Sequence, residues 1–343
     1  MTGRNWSPIL KLWMKFLVFQ KKVDKGANQK MKKYGFGVDI GGTTCKIGLF
    51  EMNGTLIEDW EIKTKTENKG ASILDDVAAA IEGKMQSAGI AKEEVQGIGV
   101  GVPGPVTGDG TVLQCVNLGW GEFNVAEVLK KRTGFDVKVG NDANVAALGE
   151  MWQGGGKGHK DVVMVTLGTG VGGGIIVDGK IVAGANGAGG EIGHIMVNEE
   201  ETDTCGCGKK GCLEQYASAT GIVRMAKKLL ASDDRETTLK NVSELTAKDI
   251  FDAAKAGDAV AKELVEKLGK VLGNALANVA CVVNPEIIVI GGGVSKAGNI
   301  LIDVIQKHYV ETTFHACRKA EFALATLGNQ AGMYGCVQML LDM

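Results

Sequence analysis

Two stretches of this chain follow one pattern about 125 residues apart, and that repeat limits the fold more than any other feature. The first runs from an apolar strand at Tyr34–Ile40 through Gly41-Gly42-Thr43-Thr44 into a strand at Cys45–Glu51, an Asn53-Gly54 turn and a strand at Thr55–Lys63. The second runs from the β-branched Val162–Leu167 through Gly168-Thr169-Gly170 into a strand at Gly173–Val177, an Asp178-Gly179 turn and a strand at Lys180–Ala183. Asn-Gly and Asp-Gly between apolar runs suit two-residue hairpins, whose central residues take positive φ. One such unit is common; two predict an internal duplication, hence two related α/β domains. The length of 343 residues is ample for two cores.

Helical patterns fill the remainder. Ser72–Ala88 carries Ile73, Val77, Ile81 and Met85 at i,i+4 spacing, a single apolar stripe for a sheet to cover. A strand at Gly97–Val102 ends in Pro103-Gly104-Pro105. Another at Asp136–Val139 leads through Gly140–Asn144 into a helix reaching about Trp152. Ala247–Val283 reads as helical with a break near Gly257-Asp258, and Asn284-Pro285 stops it. Glu286–Ile290 is then a buried strand leading through Gly291-Gly292-Gly293 into a new helix. The last helix, about Gly328–Leu341, is expected to return to the first domain, whose sheet otherwise lacks a helix on one face. The expected division is therefore a small lobe over 33–150 completed by the helix in 328–343, and a large lobe over 151–327.

Residues 1–32 are expected to lie outside the fold. Leu10–Phe19 is apolar, but Lys11 and Lys15 interrupt it, no cleavage pattern follows, and the run is too short to span a bilayer. A peripheral amphipathic anchor is the alternative for this stretch, whereas Met31-Lys32-Lys33 reads as a natural start. The formal net charge of −2 comes from interspersed acids and bases, so there is no electrostatic footprint for nucleic acid or an anionic membrane. Three of the eight cysteines fall within Cys205–Cys212 and the others are scattered through apolar stretches, which fits a reduced cytoplasmic protein with one metal cluster.

Five motifs point to chemistry. Asp39-Ile40-Gly41-Gly42-Thr43-Thr44-Cys45-Lys46 leaves backbone N–H groups open to an anion, with Asp39 able to hold Mg²⁺ through water, although an ordinary hairpin reads the same. Leu167–Gly174 is a second such turn; a β-branched strand follows it, which argues against a dinucleotide fingerprint. Gly291-Gly292-Gly293 lets a flat purine or its ribose lie against bare backbone. Asn141-Asp142-Ala143-Asn144 sits at the carboxyl end of a strand, where open α/β sheets bind ligands. Asp142 suits a general base toward a hydroxyl and Asn141 a sugar contact; helix capping is the competing explanation for both. Finally, Cys205, Cys207 and Cys212 with His194 make a Cys₃His set suited to structural zinc, the rival being a disulfide and a spare thiol. Glu191 and Glu214 flank that loop as acceptors for sugar hydroxyls, and His194 can serve metal and sugar through its two nitrogens.

Taken in order, Asp39–Lys46, Asn141–Asn144, Leu167–Gly174, Gly187–His194, Cys205–Cys212 with Leu213-Glu214, and Gly291–Gly293 resemble the ROK family of bacterial sugar kinases, sugar-responsive repressors and open reading frames. The resemblance covers about residues 33–343, and Leu213–Ser218 is most similar to the glucokinases of low-GC Gram-positive bacteria. It implies a two-lobed actin/hexokinase-like ATPase fold of duplicated ribonuclease H-like domains, and a homodimer. Asp142 is implied as catalytic base, with sugar contacts from Asn141, Asp142, Glu191, His194 and Glu214. Structural Zn²⁺ is implied at His194, Cys205, Cys207 and Cys212. ATP with Mg²⁺ is implied along Asp39, Gly41, Gly42, Thr43, Thr44, Thr169, Gly170 and Gly291–Gly293, with Lys46 a further phosphate contact. The expected activity is phosphorylation of glucose at its C6 hydroxyl. The alternatives are a family kinase acting on fructose, mannose, N-acetylmannosamine or N-acetylglucosamine, a polyphosphate donor in place of ATP, and a non-catalytic sugar sensor. The repressors carry an N-terminal helix-turn-helix domain, for which residues 1–30 are too short.

Overall fold

The computed structural model describes residues 31–341 and 343; the stretch 1–30, with its anchor-like run, lies outside the described residues. The chain opens with β1 (Tyr34–Ile40), β2 (Thr44–Glu51) and β3 (Leu56–Lys63), paired antiparallel as the hairpin residues require. Helix α1 (Ile73–Ala88) follows, its Ile73, Val77 and Ile81 buried as the i,i+4 stripe predicts. Next come β4 (Val95–Val102), a short ribbon of β5 (Thr111–Val112) and β6 (Phe123–Asn124), α2 (Val125–Thr133), β7 (Val137–Asn141) and α3 (Asp142–Gln153). The sheet order is β3-β2-β1-β4-β7, with β1, β4 and β7 parallel.

The second half repeats this plan. β8 (Val162–Leu167), β9 (Val171–Val177) and β10 (Lys180–Ile181) form the antiparallel part, followed by α4 (Ala219–Leu230), α5 (Ala247–Lys255) and α6 (Ala259–Val283). β11 (Ile287–Gly291), α7 (Asn299–Thr312), β12 (Glu321–Leu324) and α8 (Ala331–Gln338) complete the chain. The order β10-β9-β8-β11-β12 matches the first sheet strand for strand, so the duplication read from the hairpins holds in topology. The expected helix break falls between α5 and α6, where Asp258 caps the second helix through Ala261 N–H. One expectation shifts. Gly291–Gly293 do not open a helix directly, because Gly293–Ala297 forms a 3₁₀ turn and α7 starts only after Gly298 (φ 77°).

Helix α8 packs on the first sheet, and it does so backbone to backbone. A Cβ at Gly37 on β1 would overlap the Met333 carbonyl, and one at Gly99 on β4 would overlap that of Cys336. On its other side α8 crosses α3 at Gly335 and Gly149, where added Cβ atoms would strike the carbonyls of Val145 and Ala331. Phe50, Met52, Met333, Val337 and Leu340 form a small apolar cluster around this crossing; burying a side chain of that size stabilises by about 1.5–3 kcal/mol. Glu150, fully buried at the far end of α3, accepts N–H groups from Gly155 (2.8 Å), Thr326 (3.0 Å) and Leu327 (2.9 Å). It thereby pins the crossover from β12 to α8, satisfying a charge that would be expensive to bury alone.

The crossing gives a paired prediction. Gly335→Ala should destabilise by about 3 kcal/mol or more, since backbone on both sides cannot yield. Gly83→Ala, in exposed α1 with no atom within 4 Å of the new methyl, should stabilise by roughly 0.5–1 kcal/mol. Denaturant melts of both variants check it; equal effects would refute the close-packing account.

Candidate active site

The ends of β1 and β7 open into a cleft of about 410 Å³ lined by Asp39, Gly41, Lys46, Asn117, Asp142 and Thr166, among others. Asp39 stands opposite Lys46 in the β1–β2 register. The turn between them closes through Gly41 N–H to Thr44 O (3.0 Å), leaving Gly42 and Thr43 exposed. Thr64 braces the turn from beneath, donating to Gly41 O (2.7 Å). Gly332 of α8 lies against Asp39, where a Cβ would sit 2.8 Å from the carboxylate carbon. Asp39 accepts no hydrogen bond from the described residues, so its oxygens face the cleft. Thr166 brings the end of β8, hence the second sheet, to the same space.

Asp142 opens α3 at the other wall. The capping explanation is met by its neighbour: Asn141 Oδ1 accepts from Asn144 N–H (3.1 Å) while its amide donates to Gly104 O (3.1 Å). That leaves Asp142 with the Ala143 N–H on Oδ1 (2.8 Å) and the neighbouring Asn141 amide as its local donors, without a cationic partner. Asn141 is thereby largely committed to the cap, with one amide hydrogen left to offer.

Beyond this lies the cysteine loop. The ligand atoms of His194, Cys205, Cys207 and Cys212 lie within 4.8 Å of one another, with Cys205 Sγ 3.9 Å from His194 Nδ1 and Cys207 Sγ 3.6 Å from Cys212 Sγ. Thiolates about 2.3 Å from a tetrahedral zinc stand roughly 3.8 Å apart, so the donor set and its spacing suit that ion, and the thiols are unpaired in disulfides. Burial and the neighbouring thiols push Cys212 up to about 12, while the Lys209 N–H lowers Cys207. A polar network missed by sequence reasoning supports the loop. Buried Glu201 takes Tyr216 O–H (2.5 Å) and Arg224 (2.7 Å), Arg224 also binds Asp203 (2.6 Å), and Gln215 bridges Cys212 N–H (3.1 Å) to Asp203 O (3.0 Å). The Arg224 guanidinium holds the Glu201 carboxyl well below the usual range. No motif marks these residues; they converge from loop and α4.

Glu191 begins the short turn that carries His194, and it is exposed near Asp142. Glu214 is differently placed: Oε2 accepts Val171 N–H (3.0 Å) and Oε1 lies 3.7 Å from Cys205 Sγ, so it ties the second Gly-rich turn to the cysteine loop. That turn closes through Gly168 N–H to Gly170 O (3.0 Å), and Thr220 Oγ1 holds Thr169 O (2.6 Å). Gly292 (φ 82°) lies on the Leu167 backbone, where a Cβ would come within 2.6 Å. Beside Gly293 opens a pocket of about 330 Å³ walled by Phe251, Ala219, Val294 and the stems of Lys248 and Lys255, residues that no motif signals. Its size and apolar walls suit a flat heterocycle.

The ROK family model matches residues 35–343. The chain is 45% identical over 304 residues to a glucokinase of Halalkalibacterium halodurans, spanning 87% of this chain and 92% of that protein. It is 31% identical over 310 residues to a xylose repressor of Caldicellulosiruptor bescii, spanning 89% of this chain and 77% of the repressor. The crystal structure of a ROK family glucokinase from Streptomyces griseus in complex with glucose and AMPPNP superposes with a TM-score of 0.69 at 34% identity, covering 90% of this chain and all (100%) of that one.

The two cleft carboxylates are electrostatically coupled. Burial pushes Asp39 up to about 6; Lys46 opposes the rise and the Asp142 charge adds to it. Burial also raises Asp142, with the Glu191 charge reinforcing it against the Ala143 N–H. A carboxyl raised in the folded state binds its proton more tightly there, so stability falls as pH rises from about 4 to about 6 and stays lower above. Asp39→Asn should therefore melt a few degrees above the wild type near pH 7.5, without nucleotide or divalent cation, and match it near pH 4. A variant that melts lower at neutral pH would show that the charge is not buried at a cost.

Proposed function

The chain belongs to the ROK family, with its two-lobed actin/hexokinase-like fold, and from that premise we propose a glucokinase that transfers the γ-phosphoryl group of ATP to the C6 hydroxyl of glucose, with Asp142 as general base. The observation that carries the assignment of the base is the division of labour at β7–α3: Asn141 makes the cap, which leaves a raised, partly buried carboxylate free in the cleft. Asp142 takes the hydroxyl proton as the sugar oxygen attacks phosphorus; the new O–P bond forms as the bond to the β-phosphate oxygen breaks, and ADP leaves. Asn141, Glu191, His194 and Glu214 surround the sugar. In the Gly41–Thr44 turn, whose Gly41 N–H is spent on Thr44 O, the exposed Gly42 and Thr43 offer N–H groups to the phosphates together with Thr169-Gly170, Lys46 adds charge, and the nucleobase lies along Gly291–Gly293 against the Phe251 pocket.

Asp39, facing the cleft, would hold Mg²⁺ through water, and the ion would supply charge neutralisation at the phosphates. His194, Cys205, Cys207 and Cys212 would hold zinc, which stiffens the loop carrying the sugar contacts. The small lobe comprises 33–150 with the helix in 328–343, and the large lobe 151–327. A cytoplasmic setting fits the free thiols of the metal loop. A homodimer fits the exposed Met196, Val282 and Phe314, apolar side chains that a second copy can cover.

Asp142→Asn should lower kcat by roughly 10²–10⁴-fold, the usual worth of a general base, while calorimetry finds glucose affinity near wild type. Activity close to wild type removes Asp142 from the role. Run across fructose, mannose, N-acetylmannosamine and N-acetylglucosamine, and with polyphosphate replacing ATP, the same assay reports sugar and donor choice; glucose binding without turnover by the wild type would favour a sensor. Cys207→Ala should lose zinc by elemental analysis and bind glucose more weakly. Unchanged glucose affinity in the metal-free protein would rule out a scaffold role for the ion.

A further inference from the structure

We infer that Asn144 is a positioning residue, whose side-chain carbonyl anchors the Gly190–Glu191 backbone to the catalytic helix when sugar binds. The inference rests on the reading of Asp142 as base and of Glu191 and His194 as sugar contacts, and it adds a link between them. Asn144 lies two residues beyond Asp142 in the first turn of α3 and is 3% exposed. Its backbone N–H serves the cap, but its Oδ1 is buried with no hydrogen-bond partner among the described residues. A buried acceptor left unpaired is unfavourable by about 1–3 kcal/mol, so its retention points to a partner acquired in another state.

The geometry names the partner. Facing Oδ1 is Gly190 (φ 90°), where a Cβ would stand 3.4 Å from that oxygen and 2.9 Å from Gly173 O. With no side chain at Gly190, nothing separates the Asn144 carbonyl from the loop backbone. The N–H groups of Gly190 and Glu191 have no protein acceptor among the described residues, whereas those of Gly189, Ile192 and His194 all do. Beneath lies β9, stripped to Gly172-Gly173-Gly174, against which Ala143 and Ala147 of α3 pack. Catalytic helix, bare strand and sugar loop therefore meet at this one amide. A small movement of the loop brings an N–H onto Oδ1 and holds Glu191 and His194 in register with Asp142, without Asn144 touching sugar.

Two near-isosteric variants separate this role from a structural one. Asn144→Leu removes the acceptor and keeps the bulk, so it should raise the glucose KM and the calorimetric glucose Kd about tenfold, the size of one well-made hydrogen bond. The ATP KM should not change, and the melting temperature should hold or rise, because an unpaired polar group has been replaced by an apolar one. Asn144→Asp keeps an acceptor oxygen and should stay within about threefold of wild type in glucose affinity. Wild-type glucose affinity in Asn144→Leu overturns the inference. So does a parallel loss of glucose affinity, ATP affinity and melting temperature in both variants, which marks a packing role. A wild-type protein that binds glucose but does not phosphorylate it defeats the Asp142 reading instead, and glucose affinity by calorimetry still decides for or against Asn144.

Discussion

The crossing of α8 over the first sheet and against α3 depends on bare backbone. Gly37 and Gly99 let the last helix settle directly on β1 and β4, and Gly149 and Gly335 let two helices touch without side chains between them. Close packing of this kind forfeits side-chain burial at the contact and gains dispersion and positional definition, since nothing in the contact can change rotamer. It also shapes the cleft. Gly332 on α8 lies over Asp39, and α3, held by the same crossing, carries Asp142 at its first residue. The separation of the two carboxylates follows from a contact between segments nearly 200 residues apart in the chain.

That arrangement explains why the cleft is electrostatically unfavourable at rest. Asp39 loses solvent to the helix above it without gaining a donor, and Asp142 receives only neutral amide donors, the Ala143 N–H and the Asn141 side chain, in place of its hydration. Under the proposed function a cation at Asp39 and a hydroxyl proton at Asp142 would relieve them, the pattern expected where binding energy is directed at chemistry. Elsewhere the molecule satisfies its buried charges locally. Glu150 collects three N–H groups, and Glu201 takes a tyrosine and an arginine while supporting the metal loop. Asp39 and Asp142 in the cleft do without such compensation, and Asn144 Oδ1, beside the Gly190–Glu191 loop, is one of the buried side-chain atoms left unpaired among the described residues, with His159 Nδ1 and Thr313 Oγ1 the others.

Much of the architecture was legible because it rests on local chemistry. Asp178-Gly179 dictates a two-residue hairpin through positive φ at both positions, whereas the first hairpin closes over Met52-Asn53-Gly54 with only Gly54 at positive φ, and the stripe Ile73, Val77, Ile81 marks a helix face. The spacing Cys205, Cys207, Cys212 marks a set of soft donors, which the fold brings together with His194. Other features could not be read this way. Neither Asn141 nor Asp142 announces which of the two caps α3, because both side chains can do it; only the position of Gly104 O and the helix entry angle decide. Glu214 looks like a free acceptor in sequence yet is bound to Val171 N–H, 43 residues away.

What the sequence determined by itself, then, was the two hairpin units and their duplication, several of the helices, and the chemical identity of the cluster and motif residues, since propensity, periodicity and ligand type act over a few neighbouring positions; α2, α4 and β12 are not among those elements. Tertiary structure alone decided which side chains are left with unspent donors and acceptors. It put Phe251 beside Gly293, Gly190 opposite Asn144, and Arg224 under the cysteine loop. The physical reason is that hydrogen-bond saturation and desolvation are properties of what surrounds a group in space, and those neighbours come from distant segments whose approach no short-range pattern encodes.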